Sequence, residues 1–158
     1  MYLGQEFHIA GNWFIIHFTE NNGIAFGLEF GGVTGKIFLT FFRMAAAGLI
    51  IYFILRSIKL NYPGGFVLCL ALIFSGAFGN IIDSIFYGIV FDYAPVFQGR
   101  VVDMFYFPII KGYYPDWFPF FGGNYFVFFR PVFNISDASI TTGVFSLFIF
   151  YSKWLKKF

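Results

Sequence analysis

GFVLCLALIFSGAFGNIIDSIFYGIVF, residues 65–91, decides the fold: it is apolar along its whole length, with Asp83 its single ionisable residue. A helix crosses a bilayer in about 20 residues at roughly 1.5 Å rise each, and this stretch is long enough. Working outward, IFLTFFRMAAAGLIIYFIL at 37–55 and ASITTGVFSLFIFYSKW at 138–154 read the same way. The chain is 59% hydrophobic and 11% charged, with mean hydropathy +0.75, whereas soluble domains carry about a quarter charged residues. The fold class is therefore an all-α membrane bundle with three transmembrane helices, formed by a single domain over residues 1–158.

Charge sets the orientation. Arg56 and Lys59 sit in the short turn between the first two spans, closed by Asn61, Pro63 and Gly64, and Lys153, Lys156 and Lys157 follow the third. Both clusters read as cytoplasmic, which is consistent because two spans separate them. Residues 1–35 and the loop 92–136 then face outward. The loop is rich in Pro, Gly and aromatic residues and has strand-like alternation at NYFVFF, so it is expected to pack on the membrane surface. FHIAGNWFIIHFTENNGIAFG, from Phe7, also alternates, with Asn22 and Gly23 as the expected turn. Together they predict a small extracytoplasmic β element.

Several function classes drop out. A net charge of +2 spread along the chain is no footprint for nucleic acid. Cys69 is the only cysteine, so no internal disulfide forms and no Cys/His cluster is present to hold a metal. No serine has a convincing histidine partner, and His8 and His17 sit in the alternating N-terminal segment. MYLGQEFHIAGNW shows no signal peptide, and an outward start without one predicts that a further span precedes residue 1.

Within or beside the spans the ionisable residues are Arg43, Asp83, Asp103 and Asp137. Each costs on the order of 3 kcal/mol at mid-bilayer on insertion scales, so each needs a role. Arg43 is expected to snorkel to the outer interface or to pair with Asp83. Asn80 and Asp83 share one helix face, and Gly76 and Gly79 let a neighbouring helix approach closely. Asp103 in GRVVDMF and Asp137 in FNISDASI both fall at the outer surface. Asp137 alone reads equally well as a helix cap, a role Asn134 and Ser136 also suit. As a pair, two carboxylates in a partly dry site can share one proton, one acting as base on water while the other donates to a carbonyl. The competing reading is a non-enzymatic membrane protein, a transporter subunit or assembly factor whose aspartates clasp helices or relay protons.

NNGIAFG (21–27), GAFGNIID (76–83), GRVVDMF (99–105) and FNISDASI (133–140), in that order with spans between them, resemble lipoprotein signal peptidase, also called signal peptidase II. The resemblance covers nearly the whole chain. It implies a bacterial inner-membrane aspartic endopeptidase with four transmembrane helices, which removes signal peptides from diacylglyceryl-modified prolipoproteins. It implies no metal or other cofactor, membrane lipid around a monomer, and the dyad Asp103 and Asp137. Asn22, Gly23, Asn80 and Asn134 match family positions that support the site, beside Asp83. Two departures stand out. Ser84 replaces an arginine of the family motif, with Arg100 the expected electrostatic substitute, and the family's first helix would precede Met1. An inactive homologue is therefore a third reading.

Overall fold

The computed structural model describes residues 1–22 and 32–157, so Gly23 and most of NNGIAFG lie outside the described residues. Contacts divide the chain into a helical unit, Asn21–Val101 with Ile135–Phe158, and a sheet unit, Met1–Glu20 with Val102–Asn134.

In the helical unit the three apolar stretches form α1 (Gly32–Lys59), α2 (Gly64–Val90) and α3 (Ile135–Leu155). All three are long and apolar enough to cross a membrane. α1 runs about a turn past its apolar stretch at each end, because backbone hydrogen bonding carries Thr34–Lys36 and Arg56–Lys59 along with the span. α2 is central, packing on both α1 and α3. Phe66, Cys69 and Leu70 of α2 bury themselves with Leu147 of α3, flanked by Tyr62, Tyr151 and Trp154. Cys69 is thus a core residue.

Glycine sets the spacing of α2 and α3. A Cβ at Gly76 would overlap the Ser136 carbonyl oxygen, and one at Gly79 would meet the Ser136 hydroxyl. In lipid, helices associate through such close packing rather than by removing apolar surface from water. α1 instead turns a polar stripe inward, Lys36, Thr40 and Arg43, before Ala47. Buried hydroxyls are satisfied by the preceding turn: Thr40 Oγ1 donates to Lys36 O at 3.0 Å and Ser57 Oγ to Phe53 O at 2.6 Å.

After α2 the chain doubles back along it. Phe91 ends the helix, Asp92 and Phe97 take positive φ, and the backbone N–H groups of Ala94, Phe97 and Gly99 donate to the carbonyls of Gly88, Ile85 and Ser84 in turn. Gly99 is required where it stands, since a Cβ there would run into the carbonyl oxygen of Asp83.

The sheet unit holds β1 (Glu6–Ala10), β2 (Phe14–Asn21), β3 (Val101–Tyr106), β4 (Ile110–Tyr113), β5 (Tyr125–Phe128) and β6 (Val132–Phe133). One sheet has the order β1-β2-β3-β6, and β4 pairs with β5 in a second. The β1–β2 turn falls at Gly11–Trp13, where Gly11 supplies the positive φ that a tight reversal needs. β3 is interior, with Phe105 opposite Phe133 and Tyr106 opposite Val132 on the β6 side. Phe14, Phe105, Phe107 and Phe133 stack over the sheet, Phe14 and Phe107 nearly parallel at 4.8 Å. The β4–β5 hairpin carries bare aromatic residues at its tip, Trp117 at 79% exposed and Phe120 at 97%.

Candidate active site

Asp103 lies in the middle of β3, flanked by β2 and β6. It is 3% exposed. A buried carboxylate needs donors. Asn134, immediately after β6, supplies them: its Nδ2 donates to Asp103 Oδ1 at 2.8 Å and to Val102 O at 3.2 Å. Thr19 Oγ1 donates to the backbone carbonyl of Asp103 at 3.4 Å. Period-two alternation puts Asp103 on the same sheet face as Phe105.

Asp137 lies in the first turn of α3 and is half-buried. Its Oδ1 accepts a hydrogen bond from Asn80 Nδ2 at 2.9 Å, across the glycine-spaced contact of α2 with α3. Asn80 is 7% exposed, so its amide orientation is set by the carboxylate, which only accepts. The arrangement on the two aspartates is therefore parallel, each carboxylate held by a neighbouring asparagine amide.

The other residues singled out from the sequence are placed as follows. Asp83 is half-buried and bonds to the Tyr87 hydroxyl one turn along α2. Asn22 offers its backbone carbonyl to Lys36 Nζ at 2.9 Å. Arg100 is exposed, with its guanidinium 5.5 Å from the centre of the Tyr93 ring and its backbone N–H donating to the Tyr93 hydroxyl. The arginine that reaches Ser84 is Arg43, whose Nη1 donates to Ser84 Oγ at 3.0 Å. Ser84 is the neighbour of Asp83, the residue with which Arg43 is expected from the sequence to pair if it does not snorkel to the interface. His17 bonds to Glu6 and His8 Nδ1 lies 3.1 Å from Gly11 O, so both histidines serve the β1–β2 hairpin. Among the described residues no group of three or more His, Cys, Asp or Glu side chains converges as a metal site would require.

Removing the Asn134 amide tests how the sheet holds its acid. Asn134→Ala takes a hydrogen bond from a buried carboxyl group, which costs about 1–3 kcal/mol. The unfolding midpoint in detergent should fall accordingly, and a midpoint equal to that of the native chain would show that Asn134 contributes nothing to the buried carboxylate.

Comparison with known proteins gives a consistent result. The chain is similar to a lipoprotein signal peptidase of Porphyromonas gingivalis, 46% identical over 169 residues that span 97% of this chain and 73% of that protein. It is also similar to one of Chlorobium phaeobacteroides, 34% identical over 149 residues, 94% of this chain and 79% of the other. A solved bacterial membrane enzyme, determined by the in meso method at 2.3 Å, aligns with a TM-score of 0.64 at 28% identity, covering 97% of this chain and 74% of that one. The family model described as signal peptidase (SPase) II matches residues 1–153, and the chain belongs to that family.

Proposed function

We propose that this chain is an aspartic endopeptidase that cuts the signal peptide from diacylglyceryl-modified prolipoproteins, with Asp103 and Asp137 as its catalytic pair. The observation that carries this reading is the matched support of the two carboxylates, Asn134 on Asp103 and Asn80 on Asp137.

In the reaction one carboxylate takes a proton from water as the water oxygen bonds to the scissile carbonyl carbon. The other, protonated, donates to the carbonyl oxygen, giving a neutral tetrahedral gem-diol. The first then returns its proton to the leaving nitrogen as the C–N bond breaks, while the second recovers its own. Water and peptide are the only reactants, and no cofactor takes part. Asn80 and Asn134 hold the acids in position, which matters because orientation supplies a large share of such catalysis.

The chain works in the bacterial inner membrane as a monomer. The basic ends of α1 and α3, Arg56 with Lys59 and Lys153 with Lys156 and Lys157, favour the cytoplasmic side, so the opposite end of α3, with Asp137, faces outward. Substrate enters laterally, its acyl chains lying against exposed phenylalanines such as Phe38, Phe42 and Phe148. The bare aromatic tip of the β4–β5 hairpin suits the interfacial layer in the same way.

The test is purified chain in lipid nanodiscs with a prolipoprotein precursor carrying or lacking the diacylglyceryl group, products being sequenced by mass spectrometry. The lipidated precursor should be cut just before its modified cysteine and the unmodified one left intact. An intact lipidated precursor, or equal cutting of both, would overturn the proposal.

A further inference from the structure

We infer that Arg43 is a positioning residue for Asp137, acting through Ser84 and Asn80. The inference rests on Asp137 being one of the catalytic pair, and its geometry lies wholly within the helical unit. Arg43 Nη1 donates to Ser84 Oγ at 3.0 Å; Ser84 Oγ donates to Asn80 O at 2.8 Å; Asn80 Nδ2 donates to Asp137 Oδ1 at 2.9 Å. The line begins in α1, crosses α2 and ends in the first turn of α3.

Each step constrains the next. A serine hydroxyl has one proton and two lone pairs, so accepting from a guanidinium leaves its O–H to the remaining direction, here the Asn80 carbonyl. Ser84 is 0% exposed, so no water competes for either role. The charged donor polarises the hydroxyl and strengthens its bond to the Asn80 carbonyl, an effect that low local dielectric enlarges. The 80–84 turn of α2 is thereby held, and with it the Asn80 side chain that grips Asp137. Lys36, two turns earlier on the same stripe of α1, is directed to the carbonyl of Asn22. Among the residues of that stripe, Arg43 is the one that reaches Ser84.

Placing an arginine amid Phe41, Phe42 and Ala45–Ala47 is costly in a span, and a structural clasp is its simplest use. A clasp and a positioning residue differ in what they change. Loss of a clasp lowers the folded fraction and leaves each folded molecule equally fast. Loss of a positioning residue slows the folded molecule at saturating substrate.

The experiment measures kcat and KM per folded protein, on a lipidated precursor in nanodiscs, for Arg43→Met, Arg43→Lys, Ser84→Ala and the pair Arg43→Met with Ser84→Ala. Arg43→Met and Ser84→Ala should each lower kcat about 10-fold or more with KM little changed, and the pair should be no slower than the slower single, as for residues that act as a unit. Arg43→Lys, which keeps a charged donor, should recover part of the loss. Native kcat in Arg43→Met, or losses that multiply in the pair, would overturn the inference. If Arg43→Met does not fold, native kcat in Ser84→Ala overturns it instead.

A second readout needs no turnover. In protein labelled with 15N at asparagine, Ser84→Ala should move the Asn80 side-chain amide resonance, and an unmoved resonance would overturn the relay even in a chain that cuts nothing. Failure to cut by the native chain would count against the proposed function alone.

Discussion

Asp103→Asn should lower kcat for prolipoprotein cleavage by at least about 10³-fold while leaving the unfolding midpoint close to native, because it removes an ionisable catalytic group and little else. The side chain keeps its shape, and its amide oxygen still accepts from Asn134 Nδ2. What disappears is the ability to take up and release a proton. Asp137→Asn should behave alike, with Asn80 Nδ2 still donating to the new amide oxygen. The double variant should be no slower than the slower single, since a pair that shares one water fails as a unit. The measurement is single-turnover cleavage beside thermal unfolding in detergent. Native-like cleavage by either single variant would remove that aspartate from the mechanism. Losses that multiply would mean that the two act at separate steps.

The spans were legible because each is a long apolar run, a signal held within one segment. The strands at Tyr125–Phe128 and in the N-terminal segment were legible from alternation for the same reason. β3 was harder to see: Val101–Tyr106 is short, and its sheet neighbours are β2, about 80 residues earlier, and β6, about 30 later. Non-local pairing of that kind leaves no periodic trace in the strand itself. The reach of Arg43 to Ser84 was hidden likewise, for a hydrogen bond between helices depends on their rotation about their axes. The turn signal at Asn22 and Gly23 runs into residues outside the described ones, and the reversal at Gly11, a glycine at positive φ, carried no comparable dipeptide signal. The two aspartates were picked out by cost, each being an expensive residue beside a span. The matching asparagines stood out through the resemblance, and their hydrogen bonds only in three dimensions.

Gly76→Leu should both destabilise the helical unit and slow cleavage, whereas Gly48→Leu should do neither. The two sites differ in what a side chain would meet. At Gly48 nothing lies within 4 Å of an added Cβ, and the helix there presents an open face to lipid. At Gly76 the added atom would overlap the Ser136 carbonyl oxygen and sit 2.8 Å from Ile140 Cγ1 and 3.1 Å from the Ile140 nitrogen. Much of that obstacle is backbone, so relief requires α3 to move away from α2. Overpacking of this kind costs about 3 kcal/mol, which for a chain of this size lowers the unfolding midpoint by roughly 6–12 °C. The same movement stretches the bond between Asn80 and Asp137, and a misplacement of about 1 Å in a catalytic constellation can cost on the order of 100-fold in rate. Gly79→Ala should be milder, because its added atom meets mainly the Ser136 side chain, whose hydroxyl can rotate away. The order of damage expected in both unfolding midpoint and kcat is thus Gly76→Leu, then Gly79→Ala, then Gly48→Leu. Equal losses at Gly76 and Gly48 would mean that leucine acts through the helix itself and that the close approach of α2 and α3 does not set the position of Asp137.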